Sequence, residues 1–150
     1  MFLVKSGRIA SIFLLVVCSY LFAGNNSSYV NPFIGVDYVG HTFPGVSLPF
    51  GMVKIGPDCG EKATTSGYQS EQPVRGFSHV HLSGTGGGPK YGNILFMPLA
   101  NSFDKYASGL ESRREYVAPG YYRVTLLDDS EIDVEITASN KAGFHKYTFA

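Results

Sequence analysis

Residues 76–92 read GFSHVHLSGTGGGPKYG: two histidines one residue apart, a glycine run and a lysine. Three chemistries could use such a stretch. The histidines could ligate a metal, the glycine loop could cradle a phosphate, or the bare backbone could serve a larger site. His79 and His81 have the period-two spacing of a strand, which predicts both rings on one face. His-x-His is a workable metal pair, but a zinc site needs at least one more ligand. His41, Asp37 or Asp58 could supply it only where the fold brings them near. The plainer reading, favoured here, is two hydrogen-bonded histidines lining a cleft or packing under the loop, so no metal ligand is assigned. His145 stands alone far downstream and is expected to pack or to lie at the surface.

The run Gly84-Thr85-Gly86-Gly87-Gly88-Pro89-Lys90 fails as a phosphate loop on its context. A Walker loop closes with Gly-Lys-Ser/Thr and opens a helix. Here Pro89 precedes Lys90, Tyr91 follows, and the next element is a strand. No helix N-terminus is available to meet an anion. What remains is either a flexible β-β connection or a backbone kept free of side chains so that a ligand or another domain can approach closely. The carboxylates are no more specific. Glu131, Asp133 and Glu135 alternate with Ile132, Val134 and Ile136, as on the solvated face of a half-buried strand. Asp37 and Asp58 are expected in loops, where they could touch a ligand or stabilise turns. Ser83 lacks the Gly-x-Ser-x-Gly frame of a nucleophile elbow, and Cys59 has no basic neighbour in sequence to form a thiolate.

The elements that must position these residues are short. No segment keeps a helical period, and apolar runs alternate with turn chemistry throughout. Strands are predicted at Met52–Ile55, stopped by Gly56-Pro57-Asp58, and then at Phe77–Leu82 and Asn93–Met97. Residues 60–73 and 101–119 are polar and loop-like, the second with room for one short helical turn. Three further strands, Tyr121–Leu127, Glu131–Thr137 and Phe144–Phe149, form a meander. With 18 Gly, 8 Pro, 10 Tyr and 11 Phe among 150 residues, the predicted fold class is all-β, an antiparallel β-sandwich. The last strand runs up to Ala150 and would leave an open edge. The sandwich is therefore expected to be incomplete, the front part or a truncated copy of a longer protein.

Charge and the N-terminus bound the setting. Lys plus Arg equals Asp plus Glu at 12 each, a balance without a nucleic-acid footprint. Lys5 and Arg8 precede an apolar run from Ile9 to Phe22, then small Ala23 and Gly24, then polar Asn25 to Ser28. That order is a secretory signal peptide, residues 1–23, with the domain at 24–150. The run is short for a spanning helix, so no stable membrane span is expected after cleavage. Loss of Lys5 and Arg8 leaves ten basic against twelve acidic residues, a formal net charge of −2. A single cysteine, Cys59, remains, and one cysteine cannot make an internal disulfide. Cys18 lies in the apolar run after Val16 and Val17, where a lipoprotein site would have small residues.

Taken in order, the motifs resemble a known family. Tyr29-Val-Asn-Pro-Phe-Ile-Gly35, His41-Thr-Phe-Pro-Gly45, Pro49-Phe-Gly-Met52 and Pro57-Asp58 come first. Residues 76–86, Tyr91-Gly92, Met97-Pro98, Pro119-Gly-Tyr-Tyr122 and residues 143–149 follow. From Tyr29 to the end the chain resembles the start of a glycoside hydrolase family 92 enzyme, an exo-acting α-mannosidase. The resemblance implies an exported bacterial protein, periplasmic, cell-surface or secreted. It implies that the full protein trims α-mannoside glycans with inversion and needs calcium. It also implies an N-terminal sandwich followed by an (α/α)6-barrel, with the acid and base carboxylates and the calcium site in the barrel. No carboxylate of this chain inherits a catalytic role, and the 150 residues alone are expected to be inactive. His41, His79, His81, Ser83, Gly84, Thr85 and Gly86 match family motifs and inherit a sugar-pocket role. The chain departs from the family at Val36-Asp37-Tyr38-Val39, often glycine-rich there, and at Asn93, often Asp. The alternatives are a non-catalytic carbohydrate-binding module, with Tyr38, Phe43 and Tyr91 stacking on sugar, or an inactive truncated product.

Overall fold

A computed structural model of the chain describes residues 26–38, 40–59, 66–70, 72–81, 93–100, 114–127 and 131–150. The predicted signal peptide, Cys18, Ser83, Gly84, Thr85, Gly86, Tyr91 and residues 101–113 of the stretch 101–119, given room for one helical turn, lie outside them. Among the described residues, a 3-10 turn at Asn26–Tyr29 is followed by eight strands. The first sheet is β1 (Val46–Ser47), β2 (Lys54–Cys59), β3 (Val74–Val80) and β4 (Asn93–Phe96). The second is β5 (Arg114–Ala118), β6 (Tyr121–Leu126), β7 (Ile132–Ala138) and β8 (Gly143–Phe149). Within each sheet every strand pairs antiparallel with its sequence neighbour. The all-β antiparallel sandwich expected from the sequence is the observed fold.

The second sheet follows from alternation alone. Tyr122, Val124 and Leu126 of β6 are buried and face Ile136, Val134 and Ile132 of β7 in register. Successive residues point to opposite faces, so three apolar pairs stack on the inner face and Arg123, Thr125, Asp133 and Glu135 on the outer. Each such aliphatic side chain contributes about 1.5–3 kcal/mol by leaving water. At the β5–β6 turn, Pro119 takes the first corner and Gly120, at φ +81°, the second. That is the residue preference of a type II turn. The strand β5 corrects the loop-like reading of residues 101–119 at its C-terminal end. Its outward face is polar or aromatic and its apolar content small, so composition concealed it.

The first sheet is less regular. β2 runs through Gly56-Pro57-Asp58 rather than stopping before them. β1 pairs only with Lys54 and Ile55, so beyond them β2 is an edge on that side, where a proline is tolerated. The register shifts between Asp58 and Cys59, the mark of a bulge. The two sheets close on one core holding Val46, Ile55 and Phe77 from the first and Tyr122, Val124, Val134 and Ile136 from the second. Phe77 and Tyr122 meet across it with ring centroids 6.3 Å apart. Gly143 of β8 sits where a Cβ would be 2.7 Å from Ile55 Cδ1 and 3.0 Å from the His79 ring, so glycine lets the sheets approach. Met52 N donates to Asn140 O at 2.8 Å, joining the loop before β2 to the β7–β8 turn.

Candidate functional site

The two histidines of the opening motif do not share a site. β3 ends at Val80, so the alternation that predicts a common face does not extend to His81. His81 turns to β2, and its ring is wholly buried (0% exposed). Its Nδ1 lies 3.0 Å from the Lys54 carbonyl oxygen, which can only accept, so Nδ1 carries the proton. Nε2 lies 3.1 Å from Asp58 Oδ1, an ion-pair distance without the angle of a good hydrogen bond. Ser78 donates its hydroxyl to Asp58 Oδ2. Phe43 stacks on the His81 ring at 4.5 Å and 18°. Gly67, at φ +86°, closes the other side: a Cβ there would be 3.1 Å from Asp58 Oδ1.

Asp58 was expected in a loop and is instead a buried strand residue, 1% exposed. The bulge at Asp58/Cys59 aims its carboxylate inward. Serine, aspartate and histidine meet here, but Asp58 occupies the middle position. A serine hydrolase needs histidine between the other two to take the serine proton. With its members sealed from solvent, this arrangement has no means of attacking a substrate. It locks structure in place. Neither Ser78 nor Gly67 was singled out in sequence, because only the tertiary fold brings them to Asp58.

His79 takes the opposite course, into the seam between the sheets. Its ring lies 4.9 Å from that of His145 on β8 and 5.4 Å from Phe96 on β4. Phe96 and His145 are 5.3 Å apart, and His145 Nδ1 shares a 2.8 Å hydrogen bond with the Tyr147 hydroxyl. His79 Nδ1 and His145 Nε2 are buried without a hydrogen-bond partner. Burial, then the neighbouring His79 charge, lowers the His145 pKa to about 4, so the ring is neutral at pH 7. Burial pushes the Tyr147 hydroxyl up to about 12. His145 does pack, as expected, but its meeting with His79 across 66 residues leaves no sequence signal.

His41 lies in a loop with backbone strain. It sits at φ +57°, and Tyr38 and Phe50 nearby at +56° and +59°. Non-glycine residues hold this region only where surroundings enforce it, often at ligand sites. The enforcement is visible. Thr42 donates N–H to Gly35 O at 3.0 Å and its hydroxyl to Ile34 O at 2.8 Å. Ser66 donates its hydroxyl to Thr42 O at 2.7 Å. Asp37 accepts from both the amide (2.8 Å) and the hydroxyl (2.6 Å) of Ser70. Two loops, 35–45 and 66–70, are thereby laced together, and Tyr38 stands 89% exposed at their edge. Phe43, named as a sugar-stacking candidate, faces His81 instead.

Three further carboxylates, Glu115, Asp133 and Glu135, are committed to partners. Asp133 bonds Thr125 and Arg123, and Glu135 bonds Lys146 and Tyr121, each of these contacts between 2.5 and 2.7 Å. Those hydrogen bonds hold both carboxyls below their ordinary pKa. Glu115 accepts from Tyr68 at 2.9 Å and Tyr122 at 2.6 Å. Burial and Glu115 together raise the Tyr122 hydroxyl well above its usual range. Among the described residues no three His, Cys, Asp or Glu side chains converge to hold a metal. Calcium takes six to eight oxygens, carboxylates among them, and the described residues hold no such cluster of acidic side chains.

Comparison with known proteins agrees with this picture of a scaffold with loops. A sequence model of the glycosyl hydrolase family 92 N-terminal domain matches residues 29–150. An uncharacterized secreted glycosidase of Arthroderma benhamiae is 34% identical over 139 residues, 85% of this chain and 18% of that protein. A family GH92 α-mannosidase from Bacteroides thetaiotaomicron superposes with a TM-score of 0.74 at 33% identity, over 84% of this chain and 19% of that one. The same enzyme in complex with mannoimidazole gives 0.72. The family GH92 glycosyl hydrolase ccman5 gives 0.70 at 25% identity, over 83% of this chain and 19% of that one. The chain thus spans about a fifth of the length of the relatives it matches. Sequence match and superposed fold lead to one conclusion: the chain belongs to glycosyl hydrolase family 92, and residues 29–150 are its N-terminal domain.

Proposed function

We propose that this chain is the N-terminal sandwich of an exported, calcium-dependent, inverting exo-α-mannosidase that acts on α-mannoside glycans. The observation that carries the reading is the likeness to the Bacteroides α-mannosidase over 84% of the chain at 33% identity. Export draws support from the relative described as secreted. An inverting glycosidase sets a general acid and a general base about 6.5–9.5 Å apart, with a water beside the base. The acid must hold a proton near neutral pH. Asp133 and Glu135 are held ionised by their partners, and Asp58 is sealed from solvent. As the family resemblance implies, the acid, the base and calcium belong in this reading to an (α/α)6-barrel domain of the full protein. The sandwich contributes the loop that bears His41, and the segment after His81 with Ser83, Gly84, Thr85 and Gly86, as walls of the sugar pocket.

The test is mannose release from an α-mannobioside. The protein carrying this domain together with its barrel should release mannose and lose that activity to a calcium chelator. The 150-residue chain alone should release none. Release by the isolated chain, or activity indifferent to chelation, would overturn the reading.

A further inference from the structure

We propose that Asp58 and His81 are positioning residues for the sugar pocket: a buried pair that sets the stems of the pocket loops without touching sugar. The proposal rests on the mannosidase reading, because that reading makes the loop bearing His41, to which the 66–70 loop is bonded, a pocket wall. Its structural basis is the number of segments that meet on two side chains. Asp58 belongs to β2 and holds Ser78 of β3 through one oxygen and His81, just past β3, through the other. His81 reaches back to the Lys54 carbonyl on β2 and stacks on Phe43 in the 40–45 loop. Gly67 of the 66–70 loop lies against both side chains, and Cys59 N donates to Gly67 O at 2.7 Å beside them. Ser66, next to Gly67, bonds the Thr42 carbonyl and so closes the circuit back to the 40–45 loop.

The chemistry of the pair suits this role. At 1% and 0% exposure neither group reaches solvent or a ligand, so neither can be a catalytic residue. A buried pair seldom adds stability over an apolar one, because desolvation offsets the attraction. Its geometric demands are strict, however: two atoms on each partner must meet particular atoms on other segments. Apolar residues of equal size would fill the same space and leave the loops free to shift. A displacement of about 1 Å in a positioning group can cost on the order of a hundredfold in rate.

The decisive experiment is Asp58→Asn in the protein that carries its catalytic domain. Asparagine keeps the size and an acceptor for Ser78 but loses the charge facing His81. Amide exchange and mannoside kinetics are measured together. Expected is a rise of about tenfold in exchange at residues 40–45 and 66–68, with β5–β8 unchanged. kcat/KM should fall by about tenfold or more, chiefly through kcat. A uniform rise across both sheets would mean general destabilisation and would overturn the proposal. So would unchanged loop exchange, or loosened loops with unchanged kcat/KM. If the unmutated protein releases no mannose, the mannosidase reading fails by that result, and the functional half of the proposal fails with it. The exchange pattern still decides whether the pair holds the loops. Should Asp58→Asn not fold, Ser78→Ala removes one donor, keeps the pair, and is judged by the same criteria.

Discussion

The two sheets of this domain have the same number of strands but are built on different principles. In β5–β8 each buried position is apolar, Arg123, Thr125, Asp133, Glu135 and Lys146 pair with one another or with Tyr121 on the outer face, and the four strands follow closely in sequence. In β1–β4 the strands are short or bulged, the connections are long, and a carboxylate and an imidazole lie in the interior. The strained residues Tyr38, His41, Phe50 and Ile94 all belong to this half. One sheet is a regular backing, and the other gives up regularity to shape loops. Strain of this kind persists only where the surroundings over-determine it, and around His41 the bonds of Thr42, Ser66 and Ser70 are those surroundings.

Variants can break this contrast, beginning with the largest effect. Phe77→Ala removes the ring that meets Tyr122 across the core and should cost about 3–5 kcal/mol in denaturant unfolding. Both sheets should melt together. If β5–β8 keeps its near-native strand signal while β1–β4 is lost, the sheets are independent units. Next, Gly143→Ala places a methyl group within 2.7 Å of Ile55 Cδ1 and should cost about 1–3 kcal/mol. An unchanged melting temperature would show that the seam has slack.

The third test is pH. His145 is a base whose pKa in the folded chain, about 4, lies below the ordinary 6.5. The unfolded chain therefore binds its proton first as pH falls. Stability is complete above about 6.5, declines as pH drops to about 4, and is level below that. Because the ring is only partly buried, water screens the effect to about 1–2 kcal/mol. His145→Phe should flatten the profile in this window, as followed by urea midpoints at several pH values. The smallest effect is expected from Lys146→Ala. Its pair with Glu135 is exposed on the outer face of the regular sheet, and the melting curve should be indistinguishable from that of the unmutated chain. A clear shift would mean that the outer face carries stability as well.

How far each half could be read in the sequence follows from the same contrast. Ile132, Val134 and Ile136 alternate with Glu131, Asp133 and Glu135, so both faces of β7 are legible locally, and its neighbours β6 and β8 with it. β5 escaped because Arg114 to Ala118 follows a polar stretch and carries little apolar signal. In the first sheet local reading misleads. Gly56-Pro57 looks like a strand breaker, and only the shortness of β1 makes it acceptable. Asp58 reads as a turn residue because the groups that justify its burial, Gly67, Ser78 and His81, lie 9, 20 and 23 positions downstream. The spacing of His79 and His81 suggests one face, and the end of β3 at Val80 is what separates them. Resemblance to a family identified the domain, but it does not distinguish a histidine that locks loops from one that lines the seam.

Among the described residues, every strand pairs with the strand just before or after it in sequence, and none crosses from one sheet to the other. The hydrogen-bonded ladders are therefore all local, and only side-chain packing is distant. Each sheet can zip up hairpin by hairpin as it emerges during synthesis, without waiting for a remote partner. The step that must bring distant parts of the chain together is the packing of one ribbon onto the other. Until it occurs, each ribbon exposes a whole apolar face, and in that interval the nascent chain is most exposed to aggregation.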